Sequence, residues 1–378
     1  MAGIYIHIPF CKKACNYCDF HFSTSLLQLD PLLQALEAEI ALRKNYLAEP
    51  IETIYLGGGT PSLIPPAAIH HLLECIHASF SVSASAEITL EANPDDITAE
   101  QVAAWKMAGI NRMSVGVQSF HPHLLQWMNR AHNANQSVEA ITLLQKGGFE
   151  NISLDLIYGC PNQSDESWEK DVRETLALGV PHVSCYALTN EPNTALWHMI
   201  KKGDTPQIQS EQQARQFILL MEWMQLAGYE HYEISNFSLP HQRSQHNSAY
   251  WKGVPYLGIG PSAHSFNGHE REWNISNNAG YIESIRKGMI PSTKEILTTT
   301  QQVNEYIMTT LRTMEGISLV QIANRFGDVI PEQMMHDAAL WIREGLLQLV
   351  DENLILTRSG KLMADRIAAD LFREEPAV

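Results

Sequence analysis

Residues 4–18 read IYIHIPFCKKACNYC, a short strand pattern that runs directly into three cysteines. The segment IYIHI at residues 4–8 is rich in β-branched and aromatic side chains, which favour strands. Cys11, Cys15 and Cys18 then follow within eight positions. Half of the six cysteines fall in this one run, and that distribution indicates a metal site rather than a disulfide framework.

The composition is that of an acidic globular protein. The chain has 378 residues, enough for one large and one smaller domain, with 45% hydrophobic and 18% charged residues. A formal net charge of −16 disfavours nucleic acid and anionic membrane surfaces as partners, because both attract positive charge. The N-terminal residues MAGIYIHIPF lack the pattern of a secretory signal, and no apolar run is long enough to span a bilayer. We therefore expect a cytoplasmic protein with reduced thiols.

Strand and helix patterns alternate through the first half of the chain. The strand patterns are at 4–8, 53–57, 87–92, 112–117, 152–159 and 182–188. Helical periodicity separates most of them, at 32–47, 67–80, 99–109 and 137–148. This order predicts an α/β fold with a parallel sheet. No GxGxxG run follows the first strand, so we predict a partial TIM-type (β/α)6 barrel rather than a doubly wound sheet.

Unusual residues fall where the predicted strands end. Cys11 follows the first strand, Gly57–Thr60 the second, Glu91 closes the third, Gln118 follows the fourth, and Asp155 lies in the fifth. In a barrel of this type the loops at the C-terminal ends of the strands build the active site. We therefore predict a functional site at that end.

Two later regions differ from the predicted barrel, which covers residues 1–228. Residues 229–290 are rich in histidine, aromatic residues and glycine, and we predict a loop-rich segment that closes the barrel. Residues 291–378 contain three helix patterns, a hairpin pattern and a last helix, which predict a small α+β winged-helix-like domain. From residue 295 onward thirteen acidic residues outnumber seven basic ones, so DNA is a poor partner for this domain.

Three thiols are one ligand short of the four that most closed metal sites use. A structural zinc site could take its fourth ligand from His21. The second alternative is a 4Fe–4S cluster held by three cysteines, with one iron open to another ligand. An open coordination position is typical of reactive metal sites rather than structural ones. The residue types by themselves leave both alternatives open.

C-x3-C-x2-C directly after a first strand, with Tyr17 before the third cysteine and GGGTPS at residues 57–62, resembles the radical S-adenosylmethionine (SAM) superfamily. The resemblance implies a 4Fe–4S cluster on Cys11, Cys15 and Cys18, with SAM chelating the open iron. It also implies cleavage of SAM to methionine and a 5′-deoxyadenosyl radical. The SAM contacts that the resemblance implies are Tyr5, Tyr17, Gly58, Gly59, Thr60, Glu91, Gln118, Arg130, Asp155, Ala187 and His264.

The segments YIHIPFC, GGGTPS, GVQSF and DLIYGCP are similar to one branch of that superfamily, the oxygen-independent coproporphyrinogen oxidases and their relatives. The oxidases decarboxylate two propionates of coproporphyrinogen III to vinyl groups. They carry a fourth cysteine two positions after the third, where this chain has Phe20, and a long arm before the first cysteine, where this chain has ten residues. Both departures favour the other subgroup, the haem chaperones, whose signature resembles CNYCDF at residues 15–20.

HNSAYW at residues 246–251 is similar to the H-N-x-x-Y-W motif of the haem chaperones. The resemblance implies that His246 is the axial ligand of haem iron and that Asn247, Tyr250 and Trp251 contact the haem. A histidine and an asparagine before two aromatic residues could instead cap a turn and pack. The competing candidates for the axial ligand are His7, His21, His231 and His241.

We therefore predict a haem chaperone on a radical SAM scaffold that binds a 4Fe–4S cluster, SAM and haem and lacks coproporphyrinogen oxidase activity. The resemblance implies delivery of haem to acceptor proteins, respiratory ones among them, a homodimer, and at most peripheral membrane contact. The alternative is a coproporphyrinogen III oxidase with the same two cofactors. Ser262 and Asn193 stand where these relatives often carry glycine, and both residue types tolerate turns.

Overall fold

The computed structural model describes residues 1–374. The first half of the chain contains six strands that form a parallel sheet. These strands pair in chain order, which confirms the predicted βαβ organisation. The strands are β1 (Ala2–Ile8), β2 (Ile51–Gly58), β3 (Val82–Ala92), β4 (Arg112–Gln118), β5 (Asn151–Tyr158) and β6 (His182–Ala187).

Helices between the strands pack on one face of the sheet. Ile4, Ile6 and Ile8 of β1 are fully buried in the core that the strands share with these helices. Because successive side chains of a strand point to opposite faces, Tyr5 and His7 face the barrel interior. The helices are α1 (Leu29–Leu42), α2 (Pro66–Ser79), α3 (Ala99–Met107), α4 (Pro122–Trp127), α5 (Ala134–Lys146) and α6 (Asp165–Ala177).

The middle of the chain extends the sheet at both of its edges. β8 pairs with β6 and β7 pairs with β8, whereas β9 runs parallel to β1 and leads into β10, β11 and β12. Within residues 1–374 no ladder joins β7 to β12, so the barrel is open. The elements are α7 (Ala195–Lys202), α8 (Ser210–Leu226), β7 (Glu230–Glu233), β8 (Asn236–Ser238), α9 (Gln245–Trp251), β9 (Tyr256–Ile259), β10 (His264–Phe266), β11 (Glu270–Asn274), α10 (Asn278–Arg286) and β12 (Ser292–Ile296).

The C-terminal part has a hydrophobic core of its own, built from three helices, a hairpin and a last short helix as predicted. The side chain of Ile234 packs against this core and also against the core of the barrel. The predicted boundaries after residues 228 and 290 fall between elements, and residues 375–378 of the predicted last domain lie outside the described residues. The elements are α11 (Thr299–Thr310), β13 (Ile317–Ser318), α12 (Leu319–Phe326), α13 (Val329–Arg343), β14 (Leu347–Val350), β15 (Asn353–Leu356) and α14 (Ala364–Asp370).

Helix lengths and hydropathy bear on membrane insertion. The longest helix of residues 1–374 is α8, with 17 residues. No helix in this part of the chain combines the length and the apolar character that crossing a membrane requires.

Candidate functional site

A cavity of about 460 Å³ lies at the C-terminal ends of the parallel strands, where the sequence predicts a site. The loop after β1, the glycine-rich end of β2 and the ends of β3 to β6 all contribute to its wall. The predicted site residues that line it are Cys11, Cys15, Cys18, Tyr17, Gly58, Gly59, Thr60, Glu91, Gln118, Arg130, Asp155 and Ala187.

The loop that carries the three cysteines is held by backbone and ion-pair contacts. The Cys11 amide donates to the Ser23 carbonyl at 3.0 Å, and the Cys18 amide donates to the Cys15 carbonyl at 3.3 Å. Lys12 forms an ion pair with Asp95 at 2.7 Å, which ties the loop to the turn after β3. All three thiols are free and line the cavity.

The donor set favours a cluster with an open iron over a zinc site. His21, the fourth ligand of the zinc alternative, is not among the residues that line the cavity. Its Nε2 lies 2.7 Å from Asn278 Oδ1, so the ring is engaged with α10 instead. Among residues 1–374 no group of three or more His, Cys, Asp or Glu side chains is arranged around a point that suits a single ion. Three thiols that face an open cavity fit a group as large as a 4Fe–4S cluster.

The glycine-rich turn leaves backbone exposed to the cavity. Gly58 has a φ of +105°, and a Cβ there would lie 2.5 Å from the His7 ring, so only glycine fits. At Gly59 a Cβ would lie 2.7 Å from the Phe10 carbonyl oxygen. The two glycines therefore let the turn pack closely against β1 and the start of the cysteine loop, and both also line the cavity.

Glu91 is the carboxylate nearest to that turn. Its Oε2 accepts from the Gly58 amide at 3.1 Å, and its Oε1 accepts from the Tyr55 hydroxyl at 2.7 Å. Burial raises the pKa of Glu91 to about 7, with a smaller contribution from the negative charge of Asp155. In its ionised form a carboxyl at this position can accept hydrogen bonds from the amino group of a ligand.

Arg130 brings positive charge to the cluster loop. Its Nη1 donates to Cys15 Sγ at 3.3 Å, and its Nη2 donates to Asn93 Oδ1 at 2.6 Å and to the Gly116 carbonyl at 2.8 Å. A Cβ on Gly116 would approach Gln118 Nε2 to 2.9 Å and Arg130 Nη2 to 3.2 Å, so the glycine makes room for both side chains. Gln118 itself adopts a φ of +67°, a strained conformation for a residue with a side chain.

Two further residues of the cavity wall were not singled out from the sequence. Asn93 links Arg130 to Thr60, because its Nδ2 donates to Thr60 Oγ1 at 3.2 Å. Ser114 donates to Asp155 Oδ2 at 3.3 Å, and burial raises the pKa of Asp155 to about 6. Asn93 stands two residues after Glu91 and directly before Pro94, and this position beside a predicted site residue was a signal for it. Nothing local distinguished Ser114 from other strand serines.

Two predicted SAM contacts lie outside the cavity wall. Tyr5 packs behind the glycine turn, where its ring would be 3.0 Å from a Cβ on Gly57, and its hydroxyl lies 3.1 Å from His7 Nδ1. His264 is exposed, and its ring stacks on Trp273 at 6.2 Å between ring centres. Their contact with SAM stays a prediction.

The HNSAYW segment forms α9 and lies at the opposite end of the barrel from the cysteines. His246 approaches Gly3 and Thr53, near the starts of β1 and β2. Gly3 is five residues before Ile8 on β1, and at about 3.3 Å per residue this is roughly 17 Å along the strand. None of the four predicted haem contacts lines the cavity.

Side chains inside the barrel hold His246 in place. The His246 side chain is buried, its Nδ1 lies 2.8 Å from Thr53 Oγ1, and its Nε2 lies 3.3 Å from the Tyr250 hydroxyl. Glu87 accepts the His246 amide at 3.0 Å and so anchors the first turn of α9. Burial and, second, the charge of Arg112 lower the pKa of His246 to about 3, so the ring is neutral.

Two of the competing histidines are also engaged. His7 Nε2 lies 3.0 Å from the His21 carbonyl oxygen, and His231 Nδ1 lies 2.9 Å from Lys361 Nζ. His241 is exposed in a turn with a φ of +65°, so its imidazole is more accessible than that of His246. The axial ligand therefore stays a prediction.

Comparisons with known proteins agree with the motifs. The family model of the radical SAM superfamily matches residues 5–175, and that of the HemN C-terminal domain matches residues 297–363. The coproporphyrinogen III oxidase HemN from Escherichia coli has a similar fold, with a TM-score of 0.85 and 23% identity over 98% of this chain and 90% of that one.

Relatives at higher identity bear a different name. Heme chaperone HemW of Bacillus subtilis (strain 168) is 34% identical over 97% of this chain and 98% of its own. Heme chaperone HemW of Escherichia coli (strain K12) is 32% identical over 99% of this chain and 98% of its own. Since both alignments span nearly the whole of each chain, the chain belongs to the HemW family of the radical SAM superfamily.

Proposed function

We propose that this protein is a haem chaperone that holds a 4Fe–4S cluster and SAM at one end of its barrel and delivers haem to acceptor proteins. The observation that carries the proposal is the 34% identity with heme chaperone HemW of Bacillus subtilis over nearly the full length of both chains. The cluster and SAM follow from membership of the radical SAM superfamily. Phe20 at the mouth of the cavity supports the chaperone over the oxidase, because it replaces the oxidase's fourth cysteine and leaves no additional thiol there.

The residues of the cavity would share the work of holding the cofactors. Cys11, Cys15 and Cys18 would hold the cluster as thiolates, and Arg130 lies close enough to Cys15 to offset their negative charge. Glu91, beside the exposed backbone of the glycine turn, would accept a hydrogen bond from the amino group of SAM. The bound cluster and SAM supply one-electron chemistry at this end of the barrel.

The haem would bind through α9, with His246 as the axial ligand and Asn247, Tyr250 and Trp251 around it. Burial lowers the pKa of His246 to about 3, so its imidazole is neutral, and the neutral imidazole is the form that ligates iron. Both ring nitrogens have partners and the side chain is buried, so haem binding requires α9 to move away from the barrel.

An anaerobic haem titration tests this function. The reconstituted protein is expected to bind haem with a shifted Soret band, and His246→Ala is expected to weaken the binding and change the band. His241→Ala removes an exposed imidazole outside α9 and serves as the matched control, which is expected to bind haem like the parent. Unchanged binding and an unchanged band in His246→Ala would assign the haem to another ligand.

A turnover assay separates the chaperone from the oxidase. The same preparation, given coproporphyrinogen III, SAM and a reductant without oxygen, is expected to form no vinyl product. Stoichiometric vinyl product would replace the chaperone function by the oxidase function, for which the fold is equally suited.

The proposal extends to the acceptors, the oligomeric state and the location of the protein. We propose respiratory haem proteins as acceptors, a homodimer as the working form, peripheral membrane contact through the acceptors, and the cytoplasm as location. The six free cysteines support a reducing compartment. Light scattering with and without the cluster tests the dimer, since cluster loss is expected to yield the monomer.

A further inference from the structure

The C-terminal domain contacts α9 near both ends of the helix. Arg243, two residues before α9, donates from Nη1 to Glu315 at 2.6 Å. At the other end the Arg312 guanidinium lies over the Trp251 ring, 5.5 Å from its centre. Arg312 and Glu315 belong to one short stretch after α11, residues 312–315, which we name the latch segment.

The latch segment is fixed to the barrel by further contacts. The Arg312 carbonyl accepts from the Ile234 amide at 3.1 Å, and the Met314 amide donates to the Tyr232 carbonyl at 3.0 Å. Arg312 Nε also pairs with Glu233 at 3.0 Å, and that carboxylate is 1% exposed. A charged hydrogen bond from the half-buried Arg312 to a buried carboxylate favours one position of the segment.

The closed position of α9 is incompatible with an axial bond from His246. The side chain is 3% exposed and lies against Thr53 inside the barrel, so a flat macrocycle cannot approach either ring nitrogen. A ligand that binds only the displaced form of α9 has its affinity reduced by the fraction of molecules in that form. Contacts that hold α9 closed therefore act directly on haem binding.

We propose that the latch segment holds α9 against the N-terminal end of the barrel and that its release limits the binding of haem at His246. Arg243 and Arg312 are positioning residues in this arrangement, because they act on the helix and not on the haem. The inference rests on the proposed function, in which α9 carries the haem ligand.

Arg243→Gln and Arg312→Lys test the latch segment and leave the side chains inside the barrel unchanged. Arg243→Gln removes the pair with Glu315 together with a second pair to Glu230 of β7, so Glu315→Gln, which removes the first pair alone, is measured beside it. Arg312→Lys keeps a positive charge for Glu233 and loses the planar group over Trp251. Each variant is expected to raise the rate of haem association about twofold to fivefold, because a partly exposed charged contact contributes little to the closed form. His246→Ala in each variant is expected to abolish the gain.

Arg358→Gln is the matched control. Arg358 also joins the C-terminal domain to the barrel, through the Ile218 carbonyl at 2.8 Å, but on α8. Its rate of haem association is expected to equal that of the parent. An equal gain in Arg358→Gln would assign the effect to general loosening of the domain and overturn the latch.

Amide hydrogen exchange gives a readout that does not involve haem. Exchange of residues 245–251 is expected to accelerate in Arg243→Gln and Arg312→Lys and to stay parental in Arg358→Gln. Parental exchange and parental haem association in both latch variants would overturn the latch even where His246→Ala loses haem. If His246→Ala binds haem like the parent, the ligand assignment fails instead, and the exchange data still decide whether the segment holds α9.

Discussion

The two ends of the barrel are both polar, yet they differ in what their polar groups face. At the C-terminal end Glu91, Asp155 and three thiols line an open cavity of about 460 Å³. At the N-terminal end the side chains of α9 fill the barrel, and His246 and Glu87 bond to neighbours within the protein. Polar side chains that face a cavity can meet a ligand where they stand, whereas those of α9 can do so only after the helix moves away from its partners.

Removing one cluster thiol is expected to have the largest effect, and to abolish cofactor binding at the cysteine end of the barrel only. Cys15→Ser should lower the iron content from about four per chain to near zero, because three thiolates are already the minimum. Haem binding at α9, roughly 17 Å away along β1, should persist. Iron and sulfide analysis with a parallel haem titration measures both.

Cys75→Ser is the control for that change. Cys75 is a free thiol in α2, away from the cavity wall, and its loss should leave the iron content at the parental value. Retention of about four irons in Cys15→Ser would remove Cys15 from the ligand set.

The second largest effect is expected from acidification, which should weaken the binding of SAM and leave the binding of haem unchanged. Burial raises the pKa of Glu91 to about 7, and the ionised carboxylate is a stronger hydrogen-bond acceptor for an amino group than the protonated carboxyl. The affinity for SAM should therefore be highest above pH 7 and fall up to tenfold per pH unit below it. Glu91→Gln should bind SAM more weakly with a flatter profile, as calorimetry between pH 6 and 8 would measure.

The haem end should respond differently over the same range. The pKa of His246 is lowered to about 3, so its ring stays neutral from pH 6 to 8 and contributes no pH dependence. A haem affinity that falls in parallel with SAM affinity on acidification would contradict this separation.

Tyr55 contacts residues of both sites, and Tyr55→Phe is expected to have a smaller effect, on the binding of SAM alone. Its hydroxyl donates to Glu91 at 2.7 Å, while its ring stacks on His246 at 5.0 Å between centres. Loss of one hydrogen bond to a carboxylate, about 1 kcal/mol, should weaken SAM binding about fivefold and leave haem binding unchanged. Equal losses for both ligands in paired titrations would show that the ends are not independent.

The smallest effect is expected from relief of strain in a turn beside the open end. Ser262 has a φ of +63°, which favours glycine, and Ser262→Gly should stabilise the fold by about 0.5 kcal/mol after the entropy cost of glycine. Thermal unfolding measures the change. Ser85→Gly, at an exposed strand position, is the control and should destabilise instead. Destabilisation by both changes would show that residue 262 is not strained.

The sequence by itself predicted most of the open end. The six parallel strands follow from local patterns of apolar side chains, and parallel strands bring their C-terminal ends together whatever the details of packing. This is why Cys11, Glu91 and Gln118 at strand ends and Asp155 within β5 lie in one cavity. The left-handed backbone at Asn193 and Ser262 also agrees with the glycines expected there from the relatives.

Only the tertiary structure decided the position of α9. HNSAYW identified a motif, but whether that motif faces a cavity, solvent or the barrel interior depends on contacts with Thr53, Glu87 and Arg312, which are far away in the chain. The seventh parallel strand, β9, was likewise missed, because four residues with a central glycine carry little strand signal without β1 beside them. Local propensity predicts the elements and the ends of the strands. Burial of a polar helix costs free energy unless its polar groups find hydrogen-bond partners, and partners that are distant in the chain are not visible in any local pattern.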